Sequence, residues 1–270
     1  MNNQITSPRT AKSSHALTVA VLLCCAAALS LPTVSLAGRG HDDHRGQGKH
    51  KVARVLPPHR EAHGTTYSDL AGAWWNWALN QPPDRNPILD GTREFAAQGQ
   101  DEDWGQGKKI LFLAGNFGGE TVRHCTVPKG KALFFPLANN IYISPEEGSV
   151  EDIRAGANAA TDPVSLLECI IDGVPVAVLF AYRAQSPPGG SPFEIRPGST
   201  TEVLFGVPAR GPAPAVADGY WLLVELGDGK EHVIEFRAKV GDVDEPTFEL
   251  SMKYHLTVEK DNRRDRDGDD

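Results

Sequence analysis

The sequence predicts a mainly β protein: an antiparallel β-sandwich, Ig-like or jelly-roll-like, with an N-terminal Trp-rich helix and one short helical insertion. Three observations carry that prediction. Lys108 to Asn140 (KKILFLAGNFGGETVRHCTVPKGKALFFPLANN) reads as strand, glycine turn, strand, Pro-Lys-Gly turn, strand. Near the C-terminus, Ile234, Phe236, Ala238 and Val240 alternate with Glu235, Arg237 and Lys239, and Phe248 to Val258 alternates in the same way. Such period-2 alternation marks strands with one buried and one solvated face. Finally, one helical interlude separates the strands, where a parallel α/β fold needs a helix between each pair.

Taken in order, the chain opens with a leader. Arg9 and Lys12 precede the apolar run Ala16 to Leu31. Pro32 breaks the run, and Ser35-Leu36-Ala37 offers small residues for a signal peptidase, so residues 1–37 read as a signal peptide. The run falls short of the ~20 apolar residues of a membrane helix; a short anchor is the alternative. The expected compartment is secreted or periplasmic, with no membrane span after signal cleavage.

Without the leader's two cations the formal charge of −8 becomes −10. Nucleic-acid binders carry clustered positive charge, so nucleic acid is excluded as a partner. Residues 38–64 (GRGHDDHRGQGKHKVARVLPPHREAHG) are rich in Gly, His and charge and are expected to be disordered, as is the charged tail 259–270. Between them, residues 65–258 suffice for one well-cored domain.

That domain begins with a helix. Thr66 is a cap, Asp69 follows three residues later, and Tyr67, Leu70, Trp74, Trp77 and Ala78 form an apolar stripe. Asn80-Gln81-Pro82-Pro83 stops it. A long irregular stretch, Gln81 to Gly107, follows. Strands are expected at Ile110–Ala114, Thr121–Val127 and Ala132–Leu137, and a helical interlude at Val150–Leu167. Asp172-Gly173 marks a two-residue hairpin between Glu168–Ile171 and Val174–Val178. Val178–Tyr182, Phe193–Arg196, Glu202–Val207 and Tyr220–Leu226 complete the set before the two alternating strands.

The combination of YSDLAGAWWNWALNQP, ILFLAGNFGG, CTVPKGKALFFPLANN and ADGYWLLVEL resembles a group of uncharacterised bacterial secreted proteins. The similarity covers most of the chain after Thr65. It implies a secreted β-rich fold and brings no catalytic residue or substrate. Members often carry a cysteine after the Asp-Gly turn, where Arg93-Glu94-Phe95 stand here.

Candidate sites follow from residue chemistry. Trp75 lies off the helix stripe and is a candidate sugar platform. Arg123 and His124 are strand neighbours and point to opposite faces. Asn139 and Asn140 end the LFFPL strand and are candidates for ligand hydrogen bonds. Cys125 and Cys169 survive leader removal, and an oxidising compartment predicts a disulfide between them. No metal site is expected. The arm histidines (His41, His44, His50, His59, His63) are irregularly spaced, and Asp265, Asp267 and Asp269 lack the glutamate a calcium loop needs. No cofactor is implied.

The function predicted is non-enzymatic binding of a carbohydrate or cell-envelope ligand. The alternative is a hydrolase of an envelope or extracellular polysaccharide that uses carboxylates of the long loop, Asp101, Glu102 and Asp103; Glu146 and Glu147 are a further carboxylate pair, in a turn.

Overall fold

The computed structural model describes residues 19–21, 53–90, 109–144 and 149–259. The chain is mainly β, with two mixed sheets and three helices among the described residues. Strands β1 (Val19–Val21), β2 (Arg54–Leu56), β3 (Ile110–Phe112), β5 (Ala132–Ile143), β8 (Arg183–Gln185), β9 (Ser191–Ile195) and β10 (Arg210–Glu225) form a seven-stranded sheet. Strands β4 (Gly119–Val127), β12 (Pro246–Val258), β11 (Glu231–Gly241), β6 (Val164–Ile171) and β7 (Val174–Pro175) form a five-stranded sheet in that order. Neither is purely antiparallel: β3 runs parallel to β5, and β4 runs parallel to β12. Both parallel pairs join segments that no short turn connects, so alternation alone could not reveal their direction.

The seven-stranded sheet is covered on both faces. Helix α1 (Tyr67–Leu79) lies on one of them. Thr66 caps it as expected, its hydroxyl accepting from the Asp69 amide. The tryptophan stripe packs on the sheet: Trp74 meets Trp221 at 5.6 Å, Trp77 meets Phe112 at 5.6 Å, and Tyr67 meets Phe134 at 5.5 Å. The Trp74 indole donates to the Leu113 carbonyl at 2.9 Å.

The other side of α1 is buried too. Asn76 donates to the Pro192 carbonyl (2.7 Å) and accepts from the Glu194 amide (3.2 Å). One turn later Asn80 donates to the Glu194 carbonyl (2.7 Å) and accepts from the Arg196 amide (2.9 Å). Two asparagines at i and i+4 share a helix face. Here they satisfy one edge of β9 as a neighbouring strand would. Gly72 permits the approach, because a Cβ there would lie 2.2 Å from the Ser191 hydroxyl oxygen.

The opposite face of the same sheet meets two covers. Leu133, Phe135, Leu137, Tyr220, Leu222 and Val224 pack against the inner face of the five-stranded sheet. Further along, helix α2 (Val150–Thr161) covers Val216 with Ile153 and Ala157. A bulge reconciles these surfaces. The register of β5 against β10 slips at Tyr220/Trp221, leaving Leu137 as the extra residue. Before it, Ala132 and Phe134 face α1; beyond it, Ile141 and Ile143 do. Pro136, which has no amide to donate, sits at that bulge.

Several expectations need correction. β5 does not end at Asn139-Asn140 but continues to Ile143. The stretch Val178–Tyr182 is a short 3-10 turn rather than a strand. Glu202–Val207 is not a strand either: helix α3 spans Thr200–Phe205. Ser199 caps α3 by accepting from Glu202 N, Glu202 reaches back to the Gly198 amide, and Gly206 closes it in the left-handed region at φ 66°. That capping signature outweighs the apolar Val-Leu-Phe run. The helical interlude stops at Thr161, and β6 starts at Val164.

Part of the arm expected to be disordered is built into the fold. β2 pairs with the end of β10, and the Tyr67 hydroxyl donates to the Leu56 carbonyl while accepting from the Leu223 amide. The rest of the arm, residues 38–52, and the tail beyond Glu259 lie outside the described residues. β1 falls within the stretch read as leader and pairs antiparallel with Ile141–Ile143.

The Cys125–Cys169 disulfide is also corrected: both thiols are free and buried. Cys125 is on β4 and Cys169 on β6, with β12 and β11 between them. Three strand spacings amount to about 14 Å, twice the ~7 Å limit between the Cα atoms of a bridgeable pair. Burial pushes the thiols up, Cys125 to about 11 and Cys169 to about 12, so they remain protonated and inert at neutral pH.

Candidate functional site: the open face of the five-stranded sheet

The five-stranded sheet presents its second face to solvent, and strand register arranges that face in rows. One row runs Ile170, Glu235, Lys253, Val122 across β6, β11, β12 and β4. The next runs Glu168, Arg237, Ser251, Glu120. A third brings Val233 beside His255 and His124. A groove of about 350 Å³ follows the first two rows.

Its chemistry is mixed by construction. Lys253 Nζ pairs with Glu235 at 2.5 Å, and the Arg237 guanidinium pairs with Glu249. Ile170 and Val122 stand exposed at opposite ends of one row. The groove therefore offers fixed donors, fixed acceptors and two aliphatic patches, a combination suited to a neutral ligand rich in hydroxyls. Next to it the His124 and His255 rings stack, with centroids 4.8 Å apart and planes 11° from parallel.

A larger hollow of about 730 Å³ opens at one end of the molecule, between the Pro128–Lys131 and Gly227–Lys230 turns. Of the carboxylates that line it, Glu225, Asp228 and Glu259, the first is already engaged by Arg54 (2.7 Å) and His63 (3.3 Å). Turns hold side chains less firmly than paired strands do, which favours the sheet face as a recognition surface.

The structure separates the sequence-predicted candidates. His124 alone stands on the open face. Arg123, its neighbour, points inward as alternation required and is fully buried. It donates to the carbonyls of Ala114 (3.2 Å) and Gly115 (3.0 Å) and to the Tyr254 hydroxyl (2.9 Å), and so ties the β3–β4 loop to the core. Trp75 is fully buried beside Trp74, so its ring face is closed to a ligand. Residues on both sides of α1 are covered, so leaving the stripe does not mean reaching solvent.

Asn140 is buried under α2 and donates to the Ala157 carbonyl (3.2 Å) and the Thr161 hydroxyl (2.7 Å). Asn139 lies opposite Gly219, where a Cβ would come within 2.6 Å of its own. The two asparagines therefore serve packing of the seven-stranded sheet. The carboxylates considered for a hydrolase, Asp101, Glu102, Asp103, Glu146 and Glu147, lie outside the described residues.

Sequence reasoning missed Glu235, Arg237 and Lys253 as site residues. Their alternation was legible, but their alignment with Glu168, Ile170 and Val122 depends on sheet order. No protein-family model, no curated protein and no solved structure matches the chain.

Proposed function

We propose that this chain is a secreted or periplasmic β-sandwich that binds a carbohydrate or another cell-envelope ligand on the open face of its five-stranded sheet, without catalysis. The leader sequence supports the compartment, and the core shared by the two sheets supports the sandwich. The observation that carries the binding role is the groove bounded by Ile170, Glu235, Lys253 and Val122, where ion pairs and aliphatic side chains lie on rigid strands. Side chains on paired strands are held in place before the ligand arrives, which reduces the ordering cost of binding. No helix among the described residues is long and apolar enough to cross a membrane.

A glycan array, run alongside a hydrolysis screen, tests this reading. Binding that falls at least tenfold in Arg237→Ala and Lys253→Ala, with unchanged melting temperature, supports it. Glycan binding unaffected by both substitutions would reject the face as the site. Release of reducing ends from a polysaccharide would favour the hydrolase.

A further inference from the structure

We infer that His124 and His255 form a binding site for a divalent transition-metal ion on the outer face of the parallel β4–β12 pair. The two residues are direct register partners, although 131 positions separate them in the sequence. Their rings stand 4.8 Å apart, His124 exposed and His255 half-buried. Neither ring is hydrogen-bonded to another described residue, so each keeps a nitrogen lone pair for a ligand. Most histidines committed to structure engage at least one ring nitrogen. His232 does so here, with Nδ1 2.7 Å from the Asp172 carboxylate.

Imidazole is the preferred ligand of Zn²⁺, Cu²⁺ and Ni²⁺. A metal–nitrogen bond of about 2.0–2.1 Å places a ring centroid roughly 3.2 Å from the metal. Two imidazoles at adjacent coordination positions then have centroids about 4.5–5.2 Å apart, which brackets the observed spacing. The parallel stack does not itself aim both lone pairs at one ion, since lone pairs lie in the ring planes and must be turned toward a common point. Rotation about χ2, a broad torsion, with a small adjustment of χ1, turns them at exposed His124 and half-buried His255.

The surroundings tolerate a cation. The neighbouring Lys253 ammonium is held by Glu235 at 2.5 Å, and Val122, Thr126, Thr257, Val233 and Glu231 share the local face. No group of three His, Cys, Asp or Glu residues gathers among the described residues. The protein therefore supplies two ligands, and the remaining positions stay open to water or to an anionic group of a bound molecule. The metal bridges two strands, so it should also clamp the β4 edge of the sheet.

Copper titration of the full-length chain tests the site, read by electron paramagnetic resonance and isothermal calorimetry. His124→Ala and His255→Ala should each remove the same single equivalent of bound Cu²⁺, along with its nitrogen hyperfine pattern. A variant carrying His41→Ala, His44→Ala, His50→Ala, His59→Ala and His63→Ala should keep that equivalent, which separates the sheet site from the arm. Cu²⁺ should raise the melting temperature of the parent and arm variant, but not of His124→Ala. Both exposed-face variants should melt with the parent in EDTA, which establishes that they fold. Equal stoichiometry in parent, His124→Ala and His255→Ala overturns the proposal, as does loss of the equivalent in the arm variant alone.

Discussion

Strand β10 buries ten consecutive residues from Ala215 to Val224, whereas β11 buries every second residue from His232 to Ala238. Both are long strands in central positions of their sheets. The difference lies in what covers them. β10 has α1 on one face and, on the other, the five-stranded sheet and α2. β11 has a core on one face and water on the other. Burial on both faces removes the alternation that normally fixes strand register. The seven-stranded sheet uses shape instead: the bulge at Leu137, Gly219 opposite Asn139, and Gly72 against Ser191. The five-stranded sheet keeps its polar face free, and the candidate groove lies there.

The largest expected effect tests the closed side. Trp74→Ala should lower unfolding free energy by about 3–5 kcal/mol, the usual cost of emptying a large aromatic from a core. Trp75→Ala should cost a similar amount, because its ring is equally buried. Denaturant titration of the two variants decides this. If Trp75→Ala leaves stability intact while Trp74→Ala does not, α1 is covered on one side only.

The next expectation contrasts the two faces of the five-stranded sheet. Cys125 and Cys169 lie on its inner face, and burial raises both thiols. In the unfolded chain they would titrate near pH 9. Their neutral forms therefore favour the folded state fully below pH 9, and this contribution declines as pH rises toward 11 and 12. Each thiol's slope should steepen from about half of −1.4 kcal/mol per pH unit at pH 9 toward that full value between the unfolded and folded titrations. The Cys125→Ala/Cys169→Ala double variant should flatten the curve between pH 9 and 10, before the buried tyrosines join in. Both thiols should stay unreactive to a thiol reagent in native protein and react after denaturation. A linked Cys125–Cys169 peptide in a non-reduced digest would contradict the strand order.

A smaller effect probes the close approach of α1 to β9. Gly72→Ala places a methyl group against Ser191 and should cost about 1–3 kcal/mol through overpacking. The Gly72→Ala/Ser191→Gly pair should recover most of it in the same denaturation assay. Failure to recover would show that the backbone, rather than that side chain, sets the limit. The smallest effect belongs to the open face: Lys253→Ala should change stability by less than about 0.5 kcal/mol, while weakening glycan binding.

How much was legible in the sequence follows the same division. The alternation of β11 and β12, the Thr66 cap and the Trp74/Trp77 stripe were readable because each depends on residues close in sequence. The Arg123/His124 split was readable for the same reason, since neighbours on a strand must diverge. α3 carried a readable Ser199–Glu202–Gly206 signature that its apolar residues obscured. The covering of Trp75, the separation of Cys125 from Cys169 and the meeting of His124 with His255 were not readable. Each depends on which strands become neighbours, and that is settled by sheet order and by parallel pairing across long sequence gaps. Periodicity tells a residue which face of its own element it occupies. Only tertiary packing decides what lies beyond that face, because the free energy of burying a face depends on a partner surface that local sequence does not encode.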